Sequence, residues 1–184
     1  MEYFCSQSLD HSAVRVPQMM VGVPLDSDDV YLRHQQVWQA MHATARAGCG
    51  QDFVFAEVAP RLFEVRSPRL RTGEFARLPA VGQVRPLRVS LVAMWGSAHD
   101  RPVAAGALTS WCGDRLRQHG LGLSALAIER VRECRGLKRG VPIRLQVVDV
   151  HAQACVVDAA LAARAFVNGV GRGKRFGFGM LRFS

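Results

Sequence analysis

The C-terminal half of the chain carries six strand and helix patterns in an order that few folds share. Leu87, Val89 and Leu91 alternate with Arg88 and Ser90, which is the period of a half-buried strand. The patterns that follow predict a helix, two strands, a second helix and a terminal strand, at residues 103–120, 125–134, 141–151, 158–167 and 178–183. Strand–helix–strand–strand–helix–strand is the order of a ferredoxin-like domain.

The N-terminal half repeats this order less completely. A strand pattern covers residues 14–23, with a weaker candidate at residues 2–8, and the acidic run 26–29 signals a helix that continues to about residue 47. Two strands follow, at residues 53–58 and 62–66; the stretch 67–83 is irregular and shows no second helix. The sequence therefore predicts an α+β protein of two tandem ferredoxin-like (RRM-like) domains, at residues 1–83 and 84–184.

A glycine-rich segment separates the last predicted helix from the last strand. Glycines let the backbone approach a ligand closely, and cations beside them attract phosphate. The segment fits neither the dinucleotide fingerprint nor the P-loop, and it leaves a helix where those motifs open one. It predicts a cradle for backbone phosphates; the alternative is a glycine-rich turn with solvated cations. The residues concerned are Gly169, Gly171, Arg172, Gly173, Lys174 and Arg175.

The charge of the chain favours a polyanionic partner. Its 184 residues include 24 Lys and Arg against 15 Asp and Glu, a formal charge of +9 that comes mostly from arginine. Nucleic acid is the preferred partner over membrane, since no apolar run approaches the length of a span. The five cysteines are scattered without C-x-x-C spacing, which argues against a disulfide framework or a zinc module and predicts a cytoplasmic protein.

Tyr31 and His34 are the best candidates for acid–base chemistry. They lie three residues apart on the predicted first helix and therefore share a face, with Trp38 one turn after His34. Histidine moves protons readily at neutral pH, and tyrosine can position or donate. The alternative is a histidine half-buried between core and solvent. The other histidines show no metal-ligand spacing, so the sequence predicts neither a metal site nor a cofactor.

A basic hairpin is the third feature. Its cations lie on or beside the turn between the two central strands of the C-terminal half: Arg130, Arg132, Arg135, Lys138, Arg139 and Arg144. Such a hairpin can lie along a phosphate backbone or enter a groove of RNA. The alternative is a hairpin whose charges serve only solubility.

Three stretches of the chain resemble one known family. Residues 31–38 resemble its Tyr-x-x-His-Gln helix, residues 51–58 resemble the strand that follows, and residues 169–181 resemble its C-terminal glycine-rich loop. The family is that of the CRISPR repeat-processing endoribonucleases of the RAMP superfamily, in the CasE branch of type I-E Cascade. The equivalent subunit of a related type IV effector would carry the same motifs.

The resemblance implies an activity and a setting. It implies metal-independent cleavage of CRISPR precursor RNA at the 3′ base of the repeat hairpin, by attack of a 2′-hydroxyl, with no cofactor. It also implies that the product stays bound inside an effector complex with other subunits. The alternative is a non-catalytic RNA-binding subunit of such a complex; Tyr31 and His34 favour the enzyme, because a scaffold needs neither.

The resemblance also implies roles for individual residues. His34 would act as general acid or base, and Tyr31 would orient the 2′-hydroxyl or the leaving oxygen. The glycine-rich loop would hold backbone phosphates and the basic hairpin would grip the stem. The residues assigned to RNA binding are Arg33, Arg132, Arg135, Lys138, Arg139, Gly169, Gly171, Arg172, Gly173, Lys174 and Arg175.

Overall fold

The structure, a computed structural model, describes residues 14–24, 27–44, 53–95 and 101–184. Two four-stranded antiparallel sheets dominate it. The weaker strand candidate at residues 2–8 lies outside the described residues. Within these ranges, no helix combines the length and the apolar character needed to span a bilayer.

The N-terminal sheet is ferredoxin-like with one helix missing. Its elements are β1 (Arg15–Gly22), α1 (Val30–Thr44), β2 (Val54–Ala59), β3 (Leu62–Arg66) and β4 (Phe75–Arg77). The sheet order is β2-β3-β1-β4, with β1 paired antiparallel to both β3 and β4. The described residues between β3 and β4 contain no helix, as the sequence predicted. The irregular stretch does include β4, which the sequence analysis missed because it is three residues long.

The C-terminal sheet has the complete ferredoxin-like arrangement, with strand order β10-β5-β9-β8. A 3₁₀ turn at Ala105–Ala107 precedes its first helix. The elements of this half are β5 (Arg85–Val92), β6 (Met94–Trp95), β7 (Arg101–Pro102), α2 (Leu108–Arg117), β8 (Leu121–Lys138), β9 (Val141–Val156), α3 (Ala159–Asn168) and β10 (Arg182–Phe183). The two sheets confirm the predicted fold class; a boundary between residues 83 and 84 stays a prediction.

The central hairpin is longer than the sequence predicted. β8 and β9 pair from Leu121 and Val156 to Lys138 and Val141, so the turn consists of two residues. These are Arg139 and Gly140, with φ of 51° and 80°, and positive φ at both positions is the mark of the type I′ hairpin turn. The predicted strand 125–134 lies inside β8, and the predicted strand 141–151 starts with β9 but ends before Val156, because the alternation there depends on the small buried residues Ala152 and Ala154.

Two other predicted elements differ from the structure. The terminal strand was predicted over residues 178–183, but only Arg182 and Phe183 pair with β5. Gly179, with φ of 83°, belongs to the preceding loop. The α-helical part of residues 103–120 is confined to α2, and the predicted continuation of the first helix from residue 45 to about residue 47 lies outside the described residues.

Alternation along β5 directs one face to the core and leaves the other open. Leu87, Val89 and Leu91 are buried with α2 and α3, while Arg88 is exposed. A second apolar cluster joins α1 to the N-terminal sheet. A third joins the two halves, because it packs Val30 of α1 against residues of the C-terminal half.

A buried arginine also joins the halves. Arg66 on β3 is only 4% exposed, and its guanidinium group bonds the Glu64 carboxylate at 2.6 and 2.9 Å. It donates another hydrogen bond to the carbonyl of Leu181 at 2.6 Å and lies 4.6 Å from the ring centre of Phe166. One side chain of the N-terminal sheet thus contacts both α3 and the segment before β10.

Candidate functional site

The start of α1 is held by one carboxylate that also holds the hairpin. Oδ1 of Asp29 accepts hydrogen bonds from the amides of Tyr31 (2.7 Å) and Leu32 (3.0 Å), which is a helix N-cap. Oδ2 of the same residue accepts the amide of Leu137 on β8 at 3.0 Å. The acidic run was predicted as a helix start, and Asp29 confirms it; the bond to the hairpin was not foreseen.

The hairpin and the helix lie in close contact at this point. A Cβ atom at Gly136 would lie 2.9 Å from Oδ1 of Asp29 and 3.0 Å from a methyl group of Val30. No real Cβ tolerates the first of these distances, so any other residue at position 136 would push β8 away from α1. Glycine therefore allows the basic hairpin to lie against the helix that carries Tyr31 and His34.

The three features singled out in the sequence meet in one cleft, which we call the α1 cleft. Its volume is about 340 Å³. The helix contributes Tyr31 and His34, the hairpin tip contributes Lys138 and Arg139, and the glycine-rich loop contributes Arg175. Gln35, Trp38 and Phe176 complete its lining. Residues more than a hundred positions apart in the chain therefore surround one small volume.

His34 is held between aromatic rings. Its imidazole stacks on Phe53 with centroids 5.8 Å apart and planes 7° apart, and lies 6.1 Å from Phe55. Among the described residues, its buried Nδ1 has no hydrogen-bond partner. The side chain as a whole is half-buried, which the alternative interpretation also expects, but a buried polar atom without a partner is costly in free energy unless a ligand bonds it.

The charge state of His34 is set by its surroundings. Burial lowers the pKa of its imidazole, and the positive charge of Arg175 lowers it further. The ring is therefore neutral at pH 7 and able to accept a proton. The two neighbouring phenylalanines that bury it come from the stretch 51–58, which the sequence analysis treated only as a strand.

The glycine-rich loop packs tightly on the protein. A Cβ atom at Gly177, where φ is 87°, would lie 2.6 Å from the ring of Phe55. The amide of Gly179 donates to the carbonyl of Ser90 at 2.7 Å, and the amide of Phe176 donates to Gly173 at 2.8 Å. Several loop amides are thus used inside the protein, and the loop serves to place residue 175 beside His34.

The cations of the loop do not point the same way. Arg175 is exposed and faces the α1 cleft. The charge of Lys174 acts on His119 at the end of α2, where burial, Arg115 and then Lys174 lower the histidine pKa. Arg172 is exposed. The single cationic patch predicted from the sequence is therefore divided between two sides of the loop.

The arginines of the hairpin are divided in the same way. Lys138 and Arg139 lie at the tip and line the α1 cleft, whereas Arg132 bonds the carboxylate of Asp149 at 3.2 and 3.3 Å. Arg135 forms an ion pair with Glu133 on its own strand. The sequence predicted one basic finger; the structure places only its tip beside Tyr31 and His34.

Arg33 faces away from the α1 cleft. Its guanidinium group donates to the carbonyl of Ser27 at 2.8 Å and lies 3.5 Å from the carboxylate of Glu57. It lines a larger cleft of about 600 Å³ between the two sheets, which we call the intersheet cleft. In the part of the chain that the structure describes, no three His, Cys, Asp or Glu side chains are grouped as metal ligands.

The α1 cleft brings together the groups that phosphodiester chemistry requires. A neutral imidazole and a phenol can exchange protons, and three cations can bind a phosphate whose charge increases during reaction. None of these groups recognises a particular nucleotide base. The α1 cleft thus suits the backbone of a nucleic acid that supplies its own nucleophile.

Comparisons with known proteins identify relatives of the same fold. A family model described as CRISPR associated protein matches residues 83–184. Thermus thermophilus Cse3 bound to an RNA representing a pre-cleavage complex is 15% identical, with a TM-score of 0.68 over 92% of this chain and 98% of that one. Cas6e from Escherichia coli is 16% identical, with a TM-score of 0.63 over the same shares. A chain of a CRISPR RNA-guided surveillance complex is 17% identical, with a TM-score of 0.58 over the same shares. No curated protein matches the sequence significantly.

Proposed function

The chain belongs to the family of CRISPR-associated proteins, and from that premise we propose that it is an endoribonuclease that processes CRISPR precursor RNA. It would cut at the base of the repeat hairpin and stay bound to the mature guide RNA within an effector complex. The observation that carries the proposal is the convergence of Tyr31, His34, the hairpin tip and Arg175 on the α1 cleft. Structural similarity to RNA-bound Cse3 and to a surveillance-complex subunit supports it.

The reaction we propose uses the RNA as its own nucleophile. The 2′-hydroxyl before the scissile bond attacks phosphorus, a 2′ O–P bond forms and the bond to the 5′ oxygen breaks. The products are a 2′,3′-cyclic phosphate and a 5′-hydroxyl. His34, neutral because its pKa is lowered, accepts the 2′-hydroxyl proton, and Tyr31 donates to or orients the leaving oxygen. Arg175 and the hairpin tip stabilise the charge that develops on the phosphate.

The cations of the hairpin tip and of the glycine-rich loop would also hold the rest of the RNA. Lys138 and Arg139 would hold the stem, and the glycine-rich loop with Arg172 and Lys174 would hold backbone phosphates. RNA contacts of Arg33, Arg132 and Arg135 stay predictions, since each guanidinium group has a protein partner in the structure. The phosphate cradle predicted at Gly169, Gly171 and Gly173 also stays a prediction.

The setting we propose follows from the same premise. The partners are the repeat RNA hairpin and other subunits of a CRISPR effector complex in the cytoplasm. The domains at residues 1–83 and 84–184 would each contribute to one RNA surface. We place the protein in the CasE branch, in a type I-E or related type IV effector, because the glycine-rich loop and the Tyr31–His34 spacing both occur in one chain.

The first prediction tests the reaction type. Cleavage of a cognate repeat hairpin is expected to proceed at an unchanged rate in excess EDTA, because a 2′-hydroxyl nucleophile and an imidazole base need no metal ion. The measurement is a single-turnover cleavage time course with the RNA ends identified by mass. A 2′-deoxy substitution before the scissile bond is the control and should abolish cleavage. Activity lost under chelation and restored by magnesium would overturn the mechanism.

The second prediction concerns pH. If neutral His34 is the base, kcat/KM rises with pH through a midpoint below the ordinary histidine pKa of 6.5. Arg175→Gln removes a positive charge that lowers this pKa, so its midpoint is expected at higher pH whatever its effect on RNA affinity. The measurement is kcat/KM from pH 5 to 8 for both proteins. A midpoint above 6.5, or the same midpoint in both proteins, would contradict the assignment.

A further inference from the structure

The intersheet cleft is larger than the α1 cleft and has no role in the mechanism above. It lies between the β2–β3 hairpin of the first sheet and the open face of the second. Its volume of about 600 Å³ falls in the range of about 300–1,000 Å³ that small ligands occupy. It can therefore hold one or two nucleotides of a single strand, but no duplex.

Most arginines of this cleft have carboxylate partners. Arg33 is paired with Glu57 at 3.5 Å, and Arg130 and Arg132 are paired with Asp149 at 3.0 and 3.2 Å. In these pairs the carboxylates neutralise much of the arginine charge, so little of it is left to attract an outside ligand.

Arg88 and Arg182 differ from the others. They stand directly opposite each other in the register of β5 and β10, and both line the cleft. In the described part of the chain, neither forms an ion pair with a carboxylate. Like charges directly opposite each other destabilise a sheet. The positive charge of Arg182 also acts on the buried Arg66. Burial lowers the pKa of Arg66, Glu64 opposes that shift, and the charge of Arg182 lowers the pKa further.

The intersheet cleft adjoins the α1 cleft. Phe176 lines both, and it follows Arg175, which faces His34. The Phe176 ring is half-buried, so part of it is open to a ligand. A partly exposed aromatic ring beside cations can serve as a platform for single-stranded nucleic acid, because bases stack on such rings regardless of sequence.

We propose that the intersheet cleft binds the single-stranded RNA that follows the scissile bond, with Arg88 and Arg182 on its phosphates and a base stacked on Phe176. The inference rests on the proposed function. If the bond lies at the 3′ base of the stem, the nucleotides before it belong to the stem. Of the two single strands that leave the base of the stem, the 3′ strand continues directly from the scissile phosphate in the α1 cleft, whose lining includes Phe176. An acidic protein segment would also match the positive charge of the cleft, but it would not explain why the intersheet cleft adjoins the α1 cleft.

The test compares three uncleavable RNAs with a 2′-deoxy substitution before the scissile bond. One is a short hairpin that ends just after that bond, one carries a single-stranded 3′ extension, and one carries a 5′ extension of equal length. Wild-type protein is expected to bind the 3′-extended RNA more tightly than the short one, with a steeper log–log salt dependence, by about 0.7 for each added phosphate contact. The 5′ extension should add less.

The variant is the double substitution Arg88→Gln and Arg182→Gln. It is expected to lose the gain from the 3′ extension and the added salt slope of up to about 1.4. The charge-matched control is Arg77→Gln with Arg164→Gln, two exposed arginines that line neither cleft. It should keep the gain. Thermal unfolding checks the fold, and relief of like-charge repulsion predicts a melting temperature no lower than wild type.

Three results would overturn the inference. The 3′ extension could add no affinity to wild type, or the double variant could weaken all three RNAs equally. The double variant could also bind all RNAs as wild type does and fail only to join its protein partners, which would assign the cleft to an acidic protein segment. If wild type neither binds nor cleaves the short hairpin, the proposed function itself fails, and the inference fails with it.

Discussion

Replacing His34 by alanine is expected to slow single-turnover cleavage by about a hundredfold or more, because general acid–base catalysis contributes that much to proton-transfer steps. RNA affinity should change little. The imidazole is neutral at pH 7, since burial and Arg175 lower its pKa, and a neutral ring adds little to phosphate binding. Cleavage is measured with saturating protein, and binding is measured with the 2′-deoxy hairpin.

The control is a second histidine on the same helix. His42 bonds the carbonyl of Trp38 through Nδ1 at 2.9 Å and is not among the residues that line the α1 cleft. His42→Ala should therefore cleave at a rate close to wild type. A folded His34→Ala protein that binds and cleaves like wild type would remove the catalytic assignment. If wild type were also inactive, the non-catalytic RNA-binding subunit would become the better description.

Replacing Arg66 by alanine is expected to lower the free energy of unfolding by about 3–5 kcal/mol, the usual result of removing one partner from a buried ion pair. The substitution leaves the largely buried carboxylate of Glu64 and the carbonyl of Leu181 without their donor. It also removes the contact with Phe166, through which the N-terminal sheet meets α3. Urea denaturation followed by circular dichroism gives the change.

A surface ion pair provides the comparison for Arg66. Arg117 and Asp114 on α2 form a pair at 3.0 Å with both side chains more than half exposed. Arg117→Ala should cost no more than about 1 kcal/mol. The double substitution of Glu64→Gln with Arg66→Met should recover part of the loss, since no unpaired charge stays buried. Equal losses for Arg66→Ala and Arg117→Ala would contradict the prediction that the buried contacts of Arg66 stabilise the fold more than a surface ion pair does.

Patterns within one element were enough to predict the fold, because alternation along a strand reports which face is buried. Leu87, Val89 and Leu91 are an example. The full lengths of β8 and β9 were not predicted, because the ends of these strands are held by pairing with each other. The two-residue turn at Arg139 and Gly140 depends on that pairing, which the residue pattern of one strand alone does not reveal.

The candidate site was predictable in part for the same reason. The spacing of Tyr31 and His34 is local, and both line the cleft. The partners of a charged side chain are not local. The sequence could not reveal that Arg132 bonds Asp149 or that Arg66 bonds Leu181, because these contacts depend on the final packing. The sequence therefore predicted one group of arginines, whereas the structure divides them between two clefts.

The carboxylate of Asp29 has a consequence for how substrates are distinguished. One oxygen caps the start of α1 and the other accepts a hydrogen bond from β8, so the helix with His34 is tied to the hairpin that would contact the stem. An RNA stem that shifts the hairpin would shift the imidazole with it. A misplacement of about 1 Å can cost about a hundredfold in rate. Near-cognate hairpins would then bind with similar strength and react slowly, so fidelity would appear in the rate constant for cleavage.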